Sequence, residues 1–257
     1  MKTIVLMKQV ANKDAILRIN KEATWIEEGD LSYEVNESDG YALEESLRLK
    51  EKHGGEVVVC SMGPQRVKSV IKDALARGAD RAIHITGDNL AHISPYNGAK
   101  ILADAIRDEN ADLILTGLQS DDYGFAQTGV IIAELLGIPH ATIVIEVDAA
   151  GENLRVKREL ESGWYQWYSM PKPALLTIQS GISQIRYATL KGIMAAKKKE
   201  IKEIPAPADV AAQSSHQRIE KIYFPEKTKQ TQFLGGGDAK AGAAQLADKL
   251  HTEARIF

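Results

Sequence analysis

The sequence lacks several features that would each point to a particular class of protein. Its 257 residues include one cysteine, Cys60, so neither an internal disulfide nor a cysteine-based zinc site can form. No apolar run approaches the roughly 20 residues that cross a bilayer. Its 32 basic and 35 acidic side chains give a net charge of −3, whereas proteins that bind duplex nucleic acid carry a clear positive excess. We therefore expect a soluble globular protein in the cytoplasm that binds no nucleic acid and does not insert into membranes.

Standard catalytic and phosphate-binding motifs are missing as well. The chain contains neither a Walker A loop nor a G-x-G-x-x-G run, and it has no G-x-S-x-G elbow. Its six histidines include no close pair at metal-ligand spacing, so no metal site is expected. Asp121 and Asp122 could form a carboxylate pair, although a solvated loop is the simpler interpretation. Cys60 lies within an apolar strand pattern, which indicates an inert core thiol.

Strand and helix patterns alternate through the first 150 residues. Because strand–helix–strand repetition favours parallel pairing, we predict an α/β fold with a mostly parallel, doubly wound, Rossmann-like sheet, as in adenine-nucleotide α-hydrolases. The predicted strands are 3–7, 56–62, 81–85, 112–117 and 142–147, and the predicted helices are 39–53, 65–77, 95–109 and 126–136.

The pattern changes after residue 150. We predict a β-hairpin over 153–169, a further buried strand over 173–178 and a last helix near 238–252. Residues 1–202 are expected to form the α/β domain, and 203–257 an extended arm that ends in this helix. The composition of the arm fits a segment that wraps a partner as well as it fits a flexible tail.

Three loops should meet at the carboxyl edge of the sheet, where doubly wound folds bind ligands. The most informative runs from Thr116 to Gly129, because a glycine-containing loop that leads into a helix offers free N–H groups to a phosphate. An ordinary strand–helix connection explains it equally well. In the loop of residues 36–39, Asn36 or Asp39 is expected mainly to cap the following helix. In the third loop, residues 61–64, the Gly-Pro pair could be a plain turn.

Taken in order, several motifs resemble the β (small) subunit of electron transfer flavoproteins along essentially the whole chain. They are the opening strand up to Lys8, Asn36 before the helix 39–50, residues 61–64 and 76–81, the loop 117–129, the stretch 156–163 running on to 173–177, and residues 186–190 before a basic run at 197–199. The sequence departs from the family pattern at Ser162, in the aromatic run 164–168 and at the additional Pro171.

The resemblance implies a heterodimer with an α subunit that holds most of a redox FAD, while this chain holds a structural AMP. The loop backbone and the helix start at Gln127 and Thr128 would meet the phosphate. The AMP-contacting positions implied by the family are Leu6, Asn36, Glu37, Ser38, Asp39, Met62, Gly117, Leu118, Gln119, Ser120, Asp121, Asp122, Tyr123, Gly124, Phe125, Ala126, Gln127 and Thr128.

The resemblance also implies a docking role without catalytic residues in this chain. Leu190 matches the protruding leucine that anchors the electron-donating dehydrogenase, although a core leucine is the alternative. Electrons would pass from an acyl-CoA or related flavin dehydrogenase through the FAD to a quinone-linked membrane oxidoreductase. The implied recognition residues are Tyr187, Ala188, Thr189, Leu190, Lys191, Gly192, Ile193 and Met194. The lysine run 197–199 is expected to be a solvated helix face, and it could steer an acidic partner.

Other functions remain open at this point. A divergent branch of the family binds a second FAD in place of AMP and bifurcates electrons, but it tends to carry a Gly-Asp-Thr element where this chain has Tyr123-Gly124-Phe125-Ala126. The bulk of Tyr123 and Phe125 favours AMP. A stand-alone adenine-nucleotide hydrolase or ligase and a nucleotide-sensing module are the remaining alternatives.

Overall fold

The structure is a computed structural model that describes residues 1–87, 90, 93–207, 219–226 and 228–256. Parts of the predicted arm, namely 208–218, 227 and 257, lie outside the described residues. The strands are β1 (Lys2–Leu6), β2 (Gln9–Ala11), β3 (Tyr33–Val35), β4 (Glu56–Gly63), β5 (Arg81–Thr86), β6 (Leu113–Gly117), β7 (His140–Asp148), β8 (Leu154–Glu159), β9 (Tyr165–Met170), β10 (Ala174–Ile178) and β11 (Ile201–Pro205). The helices are α1 (Glu37–His53), α2 (Lys68–Arg77), α3 (Pro95–Ile106), α4 (Thr128–Leu136), α5 (Leu190–Ala196) and α6 (Ala239–Thr252).

Nine of these strands form one sheet in the order β11-β5-β4-β1-β6-β10-β7-β8-β9. Pairing is parallel from β11 to β7, and it is antiparallel between β7 and β8 and between β8 and β9. The chain winds from β1 outward to β5 and then returns to β6 on the other side of β1. This reversal creates a topological switch point, where open α/β sheets bind ligands. The predicted doubly wound fold is confirmed.

Apolar side chains cover both faces of the sheet. On one face, Leu43 of α1 and Ile71 of α2 pack against Val5 and Val59. On the other, Ile101 of α3 and Ile132 of α4 pack against Ile4 and other strand residues. Neighbouring residues of β1 therefore serve opposite cores, as the twofold alternation of a strand requires. Helices on both faces explain why the central strands are apolar on both sides.

The predicted helices and strands of the sheet are confirmed with small shifts at their ends. The helix predicted over 126–136 begins at Thr128, and a short 3₁₀ turn, Gln65–Val67, precedes α2. Three short strands escaped prediction: β2 and β3, which form an antiparallel ribbon, and β11. Each has three to five residues, too few for a clear periodic pattern. The helix expected after residues 186–190 is α5, which ends before the lysine run.

The chain divides into two compact units, Met1–Glu220 and Lys221–Phe257. The first contains the sheet, and its edge strand β11 runs past residue 202, the predicted end of the α/β domain. In the second, α6 is capped by Asp238, whose side chain accepts the N–H of Lys240 at 3.0 Å. A 3₁₀ turn of three glycines, Gly235–Gly237, comes just before this cap.

Candidate functional site

A cavity of about 190 Å³ opens at the switch point, where the carboxyl ends of β1, β4 and β6 meet. Thirteen of the eighteen positions carried over from the family line it: Leu6, Asn36, Asp39, Met62, Gly117, Leu118, Gln119, Ser120, Tyr123, Phe125, Ala126, Gln127 and Thr128. The other five, Glu37, Ser38, Asp121, Asp122 and Gly124, do not belong to its lining. The three predicted loops therefore frame one site.

Asn36 ties α1 to the loop between β6 and α4. It occupies the N-cap position of α1, but its side chain makes no capping hydrogen bond. Instead, Asn36 Nδ2 donates to the carbonyl of Gln119 at 2.9 Å, and Asn36 Oδ1 accepts the N–H of Asp121 at 2.8 Å. Ser38 Oγ donates to the same Gln119 carbonyl at 2.7 Å. The prediction of a simple cap was wrong, because these tertiary partners take the polar atoms of Asn36.

The carboxylate of Asp39 joins the ends of two strands. It accepts the N–H of Lys8, just beyond β1, at 2.7 Å, and the N–H of Gly117, at the end of β6, at 2.8 Å. The predicted capping role is therefore wrong for Asp39 as well. Burial raises the pKa of Asp39 to about 7, although both backbone donors act to lower it. Asp39 thus braces the site with a carboxyl group that takes up a proton near neutral pH.

Gly117 allows α1 to approach the sheet this closely. A Cβ atom at Gly117 would overlap Ser38 Oγ and would lie 2.5 Å from Asp39 Oδ1 and 2.7 Å from the Asp39 nitrogen. These atoms are fixed by the hydrogen bonds just described, so they cannot move aside easily. Glycine is required here because of close packing.

The two neighbouring aspartates of the loop have separate partners and do not form a carboxylate pair. Asp121 Oδ2 accepts the N–H of Glu37 in the first turn of α1 at 3.1 Å, where the helix dipole favours a negative charge. Asp122 forms an ion pair with Lys8, whose Nζ lies 2.6 and 2.7 Å from the two carboxylate oxygens. Both interactions hold the loop in place.

The first turn of α4 presents backbone donors to the cavity. Gln127, at its N-cap position, makes no side-chain capping hydrogen bond, and the N–H groups of a helix's first turn have no partner within the helix. Gln127, Thr128 and Gly129 all line the cavity. This helix start provides a positive potential for an anion such as a phosphate, whereas the charge of Lys8, which also lies in the lining, is offset by Asp122.

Another part of the lining is apolar, and the sequence did not indicate it. Met62 at the end of β4 is joined there by Leu90, Ile93 and Leu102. Pro95 at the start of α3 also reaches the cavity. A signal was available, because α3 follows β5 and its first turn must also lie at the carboxyl edge. Thr116 and Gly129, the two ends of the predicted phosphate loop, also line the cavity, and the remaining lining residues that were not predicted are Met7, Lys8, Ser94 and Gly98.

Three aromatic rings stack beside the loop between β6 and α4. Tyr123 lies between Trp25 and Phe125, with ring centroids 4.8 and 5.3 Å apart. Lys8 Nζ lies 4.5 Å from the centre of the Tyr123 ring. Burial, with Asp122 nearby, raises the pKa of Tyr123 to about 12. Trp25 comes from the segment 12–32 between β2 and β3, so this contact joins two distant parts of the chain.

A second candidate surface lies far along the chain, in residues 187–194, called here the docking segment. Tyr187 is 92% exposed and Leu190 78%, and Ile193 and Met194 are also exposed. Leu190, Ile193 and Met194 lie on one side of α5, since residues three and four apart are neighbours on a helix. The alternative of a core leucine at position 190 is wrong.

Specific contacts fix the docking segment within the first unit, beginning with Arg186, the residue just before it. Arg186 reaches Glu44 of α1 through its guanidinium at 2.9 Å and through its backbone N–H at 3.0 Å, and it also pairs with Glu51. The Arg186 guanidinium lowers the pKa of Glu51. Thr189 caps α5 by accepting the N–H of Gly192 at 3.0 Å. The segment is therefore a fixed platform with apolar side chains on its outside.

The lysine run 197–199 was predicted to be a solvated helix face, but it follows the end of the helix and its three side chains are not equally exposed. α5 ends at Ala196, and Lys197 and Lys198 are exposed. Lys199 is partly buried and donates to the carbonyls of Leu75 and Ala79 at the end of α2. That position favours a cation, because the carboxyl end of a helix carries a partial negative charge.

Metal and thiol chemistry find little support in the part of the chain that the structure describes. No group of three or more histidine, cysteine or acidic side chains there could hold a metal ion. Cys60 is fully buried in β4, and burial raises the pKa of its thiol to about 12. The thiol therefore stays protonated, and the predicted inert core role is confirmed. Among the described helices, none is long and apolar enough to pass through a bilayer.

Comparisons with known proteins agree on one family. A profile described as "Electron transfer flavoprotein domain" matches residues 24–209. The chain is 37% identical to the electron transfer flavoprotein subunit beta of Methylophilus methylotrophus, covering 91% of this chain and 93% of that one. It is 34% identical to the mitochondrial subunit beta of Oryza sativa subsp. japonica over the full length of both. It is also 34% identical to the subunit beta of Bos taurus, covering 80% and 82% of the two chains.

Proposed function

We propose, because this chain belongs to the electron transfer flavoprotein β-subunit family, that it holds a structural AMP and docks a flavin dehydrogenase within a heterodimer. The α subunit would hold most of the FAD. The complex would accept electrons from an acyl-CoA or related dehydrogenase and deliver them to a quinone-linked membrane oxidoreductase.

One observation carries the AMP assignment: the uncapped start of α4 and an apolar wall line the same cavity. The first-turn N–H groups from Thr128 onward suit a phosphate, and the helix dipole adds roughly 0.3–1 kcal/mol for an anion there. Leu6, Met62 and Ile93 offer the apolar contacts that a purine base needs. The residues present therefore fit an adenine mononucleotide.

Charge in the site also suits a monophosphate. The ion pair with Asp122 offsets the positive charge of Lys8, so a phosphate would depend mainly on the first-turn N–H groups of α4, which suit a single phosphate group. The carboxyl group of Asp39 could repel a phosphate, but its pKa of about 7 means that it carries a full charge only at higher pH.

Gly129 lets the start of α4 pack closely against the sheet, because a Cβ atom there would lie 2.8 Å from Thr116 Oγ1 and 2.9 Å from Thr177 Cγ2.

The contribution of this chain to electron transfer is binding and positioning. FAD, when bound, supplies the redox chemistry of the complex. The charged side chains at the cavity, Lys8 and Asp39, are both engaged in bracing the loop. We therefore assign them no acid–base step.

The docking segment supports the second half of the proposal. Leu190 projects from a platform fixed by Arg186 and Thr189. A protruding apolar side chain on a rigid base can fill a pocket on a partner, and a few such anchors carry most of the energy of an interface. Contacts this small suit transient encounters, as electron transfer requires.

The second unit supports a contact with the α subunit. Before α6 the chain lacks regular secondary structure in its described part and exposes Tyr223, Phe224 and Phe233. Large exposed aromatic side chains are enriched at protein interfaces. The predicted arm, 203–257, begins with the last residues of β11, so we assign the contact with the partner subunit to its second-unit part, Lys221–Phe257.

Co-expression with the α subunit tests this function. The purified complex should show flavin absorption bands in the visible range and should be reduced by a flavin dehydrogenase. A stable complex of the two chains without flavin bands would exclude an electron transfer role. ATP turnover by the purified chain alone would instead favour a nucleotide hydrolase.

A further inference from the structure

The β8–β9 hairpin carries the aromatic run in which the sequence departs from the family pattern, and it exposes this run. Leu154, Val156 and Met170 of the hairpin belong to the same core as α1 and α2. Successive residues of a strand point to opposite faces, so Tyr165 and Trp167 lie on the other face, where they are 51% and 41% exposed. The core on that face includes no described residue of the hairpin. The two rings therefore lie on an open surface of the sheet.

The two edge strands of the nine-stranded sheet, β9 and β11, differ in their protection against further pairing. β11 carries Lys202, Glu203 and Pro205, and Glu203 forms an ion pair with Lys68 of α2 at 2.7 Å. Charged side chains and proline on an edge discourage the addition of another strand. β9 has neither a charged residue nor a proline. Outside its ladder with β8, no described residue forms a hydrogen bond to its backbone, so β9 can accept a further strand.

Two cations of β8 lie over the rings of β9. The Arg155 guanidinium is 4.4 Å from the centre of the Trp167 ring, and Lys157 Nζ is 4.4 Å from that of Tyr165. Each cation is paired in register with an acidic residue of β7, yet among the described residues no carboxylate forms an ion pair with either. Because both lie over β9, the side chains of an added strand, roughly 4.8 Å further on, would be their next neighbours.

These two charges decide between the possible occupants of the edge. A second copy of this chain, paired through its own β9, would bring two more cations beside the first two, and like charges opposite each other destabilise a sheet. A strand with carboxylate side chains on the face of Trp167 would instead supply the ion pairs that Arg155 and Lys157 lack. Since an uncovered edge promotes aggregation, the strand should come from a permanently bound chain, and the α subunit is such a chain.

We propose that β9 is a docking edge for the α subunit, which adds an extended, acid-bearing strand to the nine-stranded sheet. Backbone hydrogen bonds supply the affinity, and the side chains Arg155, Lys157 and Trp167 select the strand, as in other cases of strand addition. This inference rests on the proposed function, since it presupposes the heterodimer. It assigns a subunit contact to the first unit, in addition to the one assigned to the second.

Hydrogen–deuterium exchange of the full-length chain, alone and in the flavin-containing complex with the α subunit, tests this inference. The outward-facing amides of β9 should exchange at least about tenfold more slowly in the complex, because hydrogen-bonded amides of a sheet are protected. The amides of β11 are the internal control, and their rates should agree within about twofold. If the isolated chain does not fold, the two edges are compared within the complex, where β9 should exchange more slowly than β11.

Removal of charge tests the chemistry of the added strand. Arg155→Gln/Lys157→Gln should weaken assembly with the α subunit about tenfold in analytical ultracentrifugation, because truncating one partner of an interfacial charge pair costs affinity. Lys52→Gln/Lys72→Gln is the matched control, since it removes the same charge from exposed positions on α1 and α2, and it should assemble like the wild type.

Three outcomes would overturn this inference and leave the proposed function intact. The first is equal exchange of β9 with and without the α subunit or, within the complex, equal exchange of β9 and β11. The second is protection of β9 in the isolated chain that increases with its concentration, which would show that a second copy covers the edge. The third is wild-type assembly of Arg155→Gln/Lys157→Gln. A complex without flavin bands would overturn the proposed function together with this inference.

Discussion

The nucleotide cavity and the docking segment use polar and apolar side chains in opposite ways. At the cavity, the polar groups of Asn36 and Asp39 are buried and satisfied by backbone partners from two other parts of the chain. In the docking segment, Leu190 and Met194 face outward, and the polar contacts lie underneath at Arg186. A buried polar network that is fully satisfied defines one rigid arrangement, which suits a resident ligand. An exposed apolar anchor suits a partner that binds and leaves.

This contrast predicts that substitutions at the cavity lower stability and nucleotide binding together, whereas substitutions on the outside of the docking segment affect only the partner. Four substitutions test it, in order of decreasing expected effect on the free energy of unfolding.

Gly117→Ala should have the largest effect. The added methyl group would overlap Ser38 and press on Asp39, so we expect a loss of about 3 kcal/mol of stability and of nucleotide binding. Urea denaturation and nucleotide titration measure both. Gly29→Ala is the control, because a Cβ there meets nothing within 4 Å, and its stability should match the wild type. A Gly117→Ala chain with wild-type stability and nucleotide binding would show that Ser38 and Asp39 can move aside for a methyl group.

Arg186→Ala should come next, with a loss of about 2 kcal/mol, because Glu44 would remain buried without its ionic partner. The Glu44 side chain is 5% exposed, whereas that of Glu51, the other partner, is 61% exposed. Glu51→Gln is therefore the control and should cost less than about 0.5 kcal/mol. Equal losses in the two variants would show that Arg186 does not anchor the segment through Glu44.

Asp39→Asn should cost about 1 kcal/mol at pH 5, since an amide can accept only one of the two backbone N–H groups that the carboxyl group serves. The pH dependence is the sharper test. The pKa of Asp39 is raised from 3.8 to about 7 on folding, so between these values the folded state binds the extra proton. Its contribution to stability must then decline as pH rises from about 4 to about 7.

Asparagine at position 39 removes this titration. The stability of the variant relative to the wild type should therefore improve across the same pH interval, as measured by urea denaturation at several pH values. A constant difference between pH 4 and pH 8 would mean that Asp39 titrates at its ordinary pKa.

Leu190→Ala should have the smallest effect on stability, under about 0.5 kcal/mol, because this side chain is already largely in water. Electron transfer from the dehydrogenase to the complex should slow about tenfold or more through weaker docking. Ile16→Ala, which also truncates an exposed aliphatic side chain, serves as the control and should leave the rate unchanged. Unaltered dehydrogenase kinetics in Leu190→Ala would contradict the proposed docking role of Leu190.

Much of the fold followed from periodicity along the sequence. A helical or strand period of apolar residues predicts directly which side chains are buried. The structure buries the side chains of both patterns named here, the helix pattern at Val70, Ile71, Ala74 and Leu75 and the apolar run of β4. The position of the site followed from topology, because the ends of parallel strands meet at one edge. The loop from Gly117 to Thr128 was identified for the same reason.

Contacts between distant segments could not be read from the sequence. Asn36 looked like a cap because its local position fits one, yet the carbonyl of Gln119 and the N–H of Asp121 take its polar atoms. Trp25 reaches Tyr123 through an irregular segment whose path no local pattern specifies. Side chains that serve such tertiary partners show no periodic signal, so sequence reasoning assigned them a local role or none.

The most direct test of the account is mass spectrometry of the nucleotides released when the purified complex of this chain with its α subunit is denatured. We expect AMP and FAD in equal amounts, because this chain has a cavity that joins the first-turn N–H groups of α4 to an apolar wall. Two FAD molecules per complex with no AMP, or no adenine nucleotide apart from one FAD, would contradict it.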